Sequence, residues 1–246
     1  FFKNKIKYFE SIPQPEQRTE EWHIFRNNRL TASDLGHILD NKKNNIESNS
    51  AYSLCRPPGH HAFSDQAGGF CFFNNSAIAA QTCLNNGAKR VAILDIDVHH
   101  GNGTQDLLWD EPRALTITSQ QRPLWPGTGS VDERGAHDNV LNVPLPPQST
   151  GADMRAAYTS QIFPRLRDFD PDLVIISAGF DAHQDDPLAQ LAWSTEDFHW
   201  LTSELCAIAA ACCEGRIVST LEGGYDLDAL AASARAHVTV LKDCAP

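Results

Sequence analysis

Residues 91–103 read VAILDIDVHHGNG, an apolar run that ends in carboxylates, histidines and glycines. Two more apolar runs follow at 173–179 (LVIISAG) and 216–221 (RIVSTL), and helical patterns cover 75–86, 153–168 and 195–213. Apolar runs of this length are typical of strands buried on both faces of a parallel sheet. The alternation of strands and helices therefore predicts an α/β fold with a doubly wound, mostly parallel sheet and right-handed crossovers.

Polar residues directly follow each of the three predicted strands. They are Asp95, Asp97, His99 and His100 after the first run, Phe180, Asp181 and His183 after the second, and Glu222, Gly223, Gly224 and Tyr225 after the third. In open α/β sheets, ligands bind beyond the carboxyl ends of the strands. The sequence therefore predicts one site, built by three strand ends at one edge of the sheet.

The first strand end has the residue types of a metal site. If the strand continues through residue 98, Asp95, Asp97 and His99 point in one direction, because side chains alternate along a strand. Carboxylate and imidazole ligands suit zinc, manganese or iron. Asp181 would complete a site of two aspartates and one histidine, which leaves a coordination position for water. The alternative is that the carboxylates cap helices and His99 packs in the core.

Two loops carry further acid-base groups. Residues 56–61 read RPPGHH, a stiff loop on which His60 and His61 can act as a general base and its electrostatic partner. Residues 222–225 read EGGY, and the hydroxyl of Tyr225 can donate to a developing oxyanion. Taken singly, the first motif is also compatible with a surface histidine pair that has no role. The second is also compatible with a turn followed by a core aromatic residue.

The composition of the 246 residues narrows the class of protein. The formal net charge of -11 repels phosphate, so no direct contact with nucleic acid is expected. The seven cysteines include no C-x-x-C pair, which predicts reduced thiols rather than a disulfide framework. Since no stretch has the length of a membrane span and no signal core follows the first residues, no membrane contact and a cytoplasmic location are expected.

The motifs, in this order, resemble the zinc-dependent histone deacetylase superfamily, which includes bacterial acetylpolyamine amidohydrolases. Further matches are GGFCFFNN at 68–75, PGTG at 126–129 and DPL at 186–188, so that the resemblance spans residues 51–241. It implies an arginase-like, three-layer fold with a central, mostly parallel sheet. It also implies a zinc-dependent amidohydrolase that converts acetyl-lysine or acetylpolyamine to free amine and acetate. A homo-oligomer is left open.

The same resemblance implies a role for each site residue. The metal ligands are Asp97, His99 and Asp181, the catalytic residues are His60, His61, Tyr225, Asp95 and Asn102, and the substrate-tunnel residues are Gly69, Phe70 and Trp125. His61 is implied as the general base and acid, with His60 as its electrostatic partner. Asp95 and Asn102 would support His60 and His61 respectively, and Tyr225 would polarise the acetyl carbonyl. The family's structural potassium ion is expected near Asp95, Asp97 and His99.

Residues 1–50 differ in composition from the rest. The run at 40–50 is rich in Asn, Lys and Ser and predicts a flexible linker. Residues 17–36 resemble the start of YqaJ-like, lambda-type exonucleases, and the segments 19–26 and 31–39 also fit amphipathic helices. Family members have a further segment ahead of RPPGHH that supplies the first strands, so the sheet is expected to lack its N-terminal strands. The predicted division is an appendage and linker at 1–50 and a deacetylase-like catalytic domain at 51–246.

Three other functions stay open from the sequence. The first is an inactive or partner-dependent truncated deacetylase-like module, which the absence of the N-terminal segment favours. The second is a DNA-processing nuclease fragment, which rests on 17–36 alone and lacks that family's later carboxylates and lysine. The third is arginase-like hydrolysis at a two-metal site. It fits less well, because the ligands suffice for one metal and a histidine pair.

Overall fold

A computed structural model describes residues 50–244 and the backbone of Ile24–Phe25. Its strands are β1 (Ile24–Phe25), β2 (Ser50–Ser53), β3 (Val91–Asp95), β4 (Ala114–Gln121), β5 (Val140–Leu145), β6 (Leu173–Ala178) and β7 (Ile217–Leu221). They form one sheet in the order β1-β2-β7-β6-β3-β4-β5, and every neighbouring pair is parallel. The predicted parallel sheet is confirmed.

Helices connect these strands. They are α1 (Asn75–Asn85), α2 (Asn102–Leu107), α3 (Gly151–Ala157), α4 (Phe163–Phe169), α5 (Thr195–Cys213) and α6 (Leu227–Asp243), and a π-helical segment (Tyr158–Ile162) joins α3 to α4. Helix α5 starts where predicted, because Ser194 and Asp197 form a capping box in which each side chain accepts the other's backbone N–H. Within the described residues, no helix combines the length and apolar character that a membrane crossing needs.

The two faces of the sheet carry separate cores. Along β3 and β6, Leu94 and Ile176 belong to a large apolar cluster with the residues of α5, whereas Ile93 and Ile175 belong to a smaller cluster with those of α1. This alternation follows from the period of two along a strand. Burial of each such side chain contributes about 1.5–3 kcal/mol. The result is the predicted three-layer arrangement, with helices on both faces.

Strand β3 is shorter than predicted, and this changes how the site is built. Its ladder with β6 ends at the pair Asp95 and Ser177, and the Asp97 N–H donates to Asp95 Oδ1 at 3.1 Å. Because a side chain rather than a neighbouring strand accepts this N–H, the backbone leaves the sheet at Asp95. Asp97 and His99 therefore come from a loop, and the prediction that strand alternation aligns them with Asp95 was wrong.

The order of the strands explains why the site forms at one edge. Strands β7, β6 and β3 are neighbours and run in the same direction, so their carboxyl ends meet. Ile24–Phe25 form strand β1, which pairs with β2, so the helix that the pattern at 19–26 allowed is wrong at these two residues. The other features predicted for 1–49 lie outside the described residues. They are most of the predicted linker, the segment that resembles YqaJ-like exonucleases, and the region that bears on the predicted loss of N-terminal strands.

Candidate active site

Three of the predicted ligands converge on one point. Asp97, His99 and Asp181 each offer one ligand atom, and these atoms lie within 4.8 Å of one another. The His99 Nδ1 atom lies 3.0 Å from Asp97 Oδ1 and 3.1 Å from Asp181 Oδ2. Both carboxylates are fully buried. The loops after β3 and β6 therefore build a cluster that can hold a metal ion.

Backbone N–H groups fix the two carboxylates in place. The Val98 N–H donates to Asp181 Oδ1 at 2.9 Å, and the Gly223 N–H donates to Asp97 Oδ2 at 2.8 Å. A Cβ atom at Gly223 would lie 2.2 Å from Asp181 Oδ2. Only glycine can therefore occupy this position, and the loop after β7 closes against both carboxylates.

The charges of the cluster are strongly coupled. Burial, reinforced by the negative charge of Asp97, raises the pKa of Asp181 to about 7. Burial also raises the pKa of Asp97, but the nearby His60 and His99 outweigh this effect and hold the pKa of Asp97 well below its usual range. Burial disfavours the His99 imidazolium, yet its hydrogen bonds to Asp181 and Asp97 raise the pKa to about 10. Two carboxylates in a dry pocket thus favour positive charge between them.

Two adjacent histidines lie beside this cluster. Their ring centroids are 3.9 Å apart. His60 Nδ1 lies 2.8 Å from Asp95 Oδ2, and His61 Nδ1 lies 2.8 Å from Asn102 Oδ1. Because an amide oxygen only accepts, His61 donates from Nδ1 and its Nε2 keeps a lone pair. The pairings that the sequence predicted for Asp95 and Asn102 are therefore both present.

The two histidines differ in their preference for a proton. Burial, and then the positive charge of His60, lower the pKa of His61 to about 3. Burial also disfavours a charged His60, but Asp95, Asp97 and Glu222 outweigh it and raise its pKa well above 6.5. The pair therefore places a neutral imidazole next to an imidazolium.

Aromatic residues form the rim of the site. The Trp125 ring centroid lies 4.6 Å from that of His61, and the rings of Phe70 and Tyr225 lie 6.4 Å apart. Phe70 and Trp125 are 72% and 53% exposed. A Cβ atom at Gly69 would lie 2.2 Å from His61 Cδ2 and 2.8 Å from Trp125 Cη2, so glycine is needed where the rim approaches the histidine. The predicted tunnel residues thus flank the site.

One buried carboxyl at the site had no predicted role. Glu222 accepts the N–H groups of Gly59 and His60 at 2.7 and 3.2 Å, and the Ser177 hydroxyl at 3.2 Å. Burial raises its pKa to about 7. Glu222 therefore fastens the RPPGHH loop to the end of β7. A carboxylate between an apolar strand and two glycines was the available signal, but its partners are distant in the chain.

A hydrogen-bonded network around His100 was also not predicted. His100 Nε2 lies 2.9 Å from Gln105 Oε1, and the Gln105 amide donates to Glu133 Oε2 at 2.7 Å. His100 Nδ1 also lies 2.8 Å from the hydroxyl of Thr128, in the PGTG motif. This network connects the loop after β3 to the segment that carries Trp125.

Known proteins are similar to this chain in sequence and in fold. The family described as "Histone deacetylase domain" matches residues 24–241. Histone deacetylase 10, chloroplastic, of Oryza sativa subsp. japonica is 44% identical over 186 residues, which are 74% of this chain and 42% of that protein.

Two solved structures have the same fold. The crystal structure of the HDA15 HD domain superimposes with a TM-score of 0.78 at 36% identity, over 86% of this chain and 60% of that one. The acetylpolyamine aminohydrolase from Burkholderia pseudomallei gives a TM-score of 0.75 at 36% identity, over 85% and 60%. The chain thus spans about 60% of the length of these solved chains. Given the extent of the family match, this chain belongs to the histone deacetylase family.

Proposed function

We propose that this chain is a zinc-dependent deacetylase that hydrolyses the acetyl-amide of an acetyl-lysine side chain or an acetylpolyamine. The observation that carries the proposal is the histidine pair, in which His60 is paired with Asp95 and His61 with Asn102, next to the cluster of candidate metal ligands. Amide hydrolysis needs a base that takes a proton from water and an acid that protonates the leaving amine. It also needs positive charge that stabilises the negative charge developing on the carbonyl oxygen. These groups all lie at one edge of the sheet.

The donor atoms of the three candidate metal ligands suit zinc. Asp97, His99 and Asp181 would hold the ion, and three protein ligands leave a position open, as in catalytic zinc sites. When bound, zinc acts as a Lewis acid on the amide carbonyl and lowers the pKa of a water molecule. The structural potassium ion near Asp95, Asp97 and His99 is likewise proposed.

The chain's own residues supply the proton transfers. His61 Nε2 accepts a proton from the attacking water, since Asn102 holds the other ring nitrogen as a donor. The charge of the neighbouring His60 stabilises the negative charge that develops on the carbonyl oxygen. His61 then returns the proton to the nitrogen of the leaving amine, which gives free amine and acetate.

Tyr225 completes the stabilisation of the oxyanion. Burial, together with the charges of Asp97 and Asp181, raises the pKa of its hydroxyl well above 10, so the hydroxyl keeps its proton. A protonated hydroxyl can donate a hydrogen bond to the carbonyl oxygen as negative charge forms there. The aromatic rim of Phe70 and Trp125 favours a long, thin, uncharged chain, such as an acetylated lysine side chain.

The test is hydrolysis of an acetyl-lysine peptide and of an acetylated polyamine by the purified chain. It is run with and without a zinc chelator, beside Asp181→Ala and the control Asp185→Ala. Asp185 is close in sequence but exposed, so its loss should leave the rate unchanged. We expect activity that is lost with chelator and in Asp181→Ala. A soluble, zinc-loaded chain that hydrolyses neither substrate would reject the proposal and favour an inactive or partner-dependent module.

A further inference from the structure

A second buried carboxyl connects the loop after β6 to the loop after β7. Asp186 is only 7% exposed. Its Oδ2 accepts the Tyr225 N–H at 2.8 Å, and its Oδ1 accepts the Leu188 N–H at 3.0 Å. One side chain therefore holds the backbone on which Tyr225 is mounted.

Tyr225 needs such an anchor because of the residues before it. Gly223 and Gly224 precede it, and Gly224 has φ +128°, a conformation that residues with a Cβ rarely adopt. Two glycines leave the backbone before Tyr225 free to adopt more conformations than other residues would. The hydrogen bond from the Tyr225 N–H to Asp186 fixes the backbone directly at the residue whose hydroxyl has to be aligned.

We propose that Asp186 is a positioning residue, which holds Tyr225 at the distance from the substrate carbonyl that oxyanion stabilisation requires. This inference rests on the proposed function, because it assigns a role to Tyr225. A carboxylate suits the task, since both oxygens accept N–H groups. An asparagine has nearly the same shape, but its NH₂ group would face one of these N–H donors.

The kinetic test is a double-mutant cycle of Asp186→Asn and Tyr225→Phe in the full chain, with Asp185→Asn as control. Asp185 is adjacent, and its carboxylate is 64% exposed. We expect Asp186→Asn to lower kcat roughly 10- to 100-fold, the range expected from the loss of a hydrogen bond to a charged group, with little change in KM. In the Tyr225→Phe background, the same change should cost less than about threefold. An equal loss of kcat in both backgrounds would show that Asp186 does not act through Tyr225.

Hydrogen–deuterium exchange gives a readout that does not depend on activity. We expect faster exchange of peptides covering 222–230 in Asp186→Asn and no change there in Asp185→Asn, while peptides from α1 stay unchanged in both. Unchanged exchange at 222–230 would overturn the proposal. If Asp186→Asn does not fold, Asp186→Glu displaces the carboxylate while keeping its charge, and the same local loosening is expected. A wild-type chain that hydrolyses no acetyl-amide would refute the proposed function, and exchange would still decide whether Asp186 anchors this loop.

Discussion

His237 on α6 is expected to make the stability of this fold depend on pH. Its side chain is fully buried, with Nδ1 2.8 Å from the Thr202 hydroxyl and Nε2 2.8 Å from the Ser219 hydroxyl. The Thr202 hydroxyl also donates to the Phe198 carbonyl, so it accepts from His237 Nδ1. Ser219 then donates to Nε2, and the native structure binds the neutral ring. His237→Gln removes the titratable group and keeps polar atoms in this position.

The magnitude follows from the two pKa values of the histidine. Burial lowers the pKa of His237 from 6.5 to about 3 in the folded chain. Below pH 6.5 the unfolded chain therefore takes up a proton that the folded chain does not, and the folded state loses stability as the pH falls. Between pH 7.5 and pH 5, this difference amounts to about 2 kcal/mol of unfolding free energy.

The assay is urea unfolding of the chain at pH 7.5 and pH 5, with a chelator present throughout. The unfolding free energy of His237→Gln should fall by about 2 kcal/mol less over this interval than that of the wild type. His199→Gln, at an exposed histidine on α5, serves as the control. If wild type and His237→Gln lose the same free energy, the ring is not held neutral by the fold, and the reasoning is refuted.

Four further predictions concern the site and the core. Tyr225→Phe should lower kcat about 10²- to 10³-fold without loss of zinc, which steady-state kinetics and metal analysis would check. Asn102→Ala should lower kcat roughly 10- to 100-fold, because His61 loses the acceptor that fixes its tautomer, and an unchanged kcat would contradict this role. Zinc at about 100 times its Kd should stabilise the wild type by about 2.7 kcal/mol in thermal melts, and Asp181→Asn should show little of this gain. Leu205→Ala should cost about 2–5 kcal/mol in urea unfolding, since Leu205 is fully buried between the helices and the sheet.

The sequence was sufficient for the class of fold and for the three residues that the structure brings together as candidate metal ligands. Mostly apolar runs identify β3, β6 and β7, because a strand covered on both faces is made mainly of apolar residues. The residues after these runs were identified by their chemistry, and the structure brings Asp97, His99 and Asp181 together as expected. Strands β4 and β5 were not predicted. β4 reads ALTITSQQ and is buried throughout although five of its eight residues are polar.

That strand shows why local patterns are insufficient. Gln121 can be buried in β4 because its Oε1 accepts the Gln190 N–H at 2.7 Å, and Ser119 because its hydroxyl pairs with that of Tyr158. Neither partner is visible from the composition of the strand. A buried polar residue is tolerated only if a distant group satisfies it, so its burial cannot be predicted before the fold is known.

The sequence by itself determined which polar residues follow the strands and the kind of chemistry they can perform, since these depend on residue type and order. Only the tertiary structure decided that β3 ends at Asp95, that Glu222 holds the histidine loop, and that Asp186 holds Tyr225. It also decided that burial and neighbouring charges shift the pKa values of His60 and His61 in opposite directions. These properties depend on burial and on charges brought close by the order of the strands, and both come from parts of the chain that are far apart in sequence.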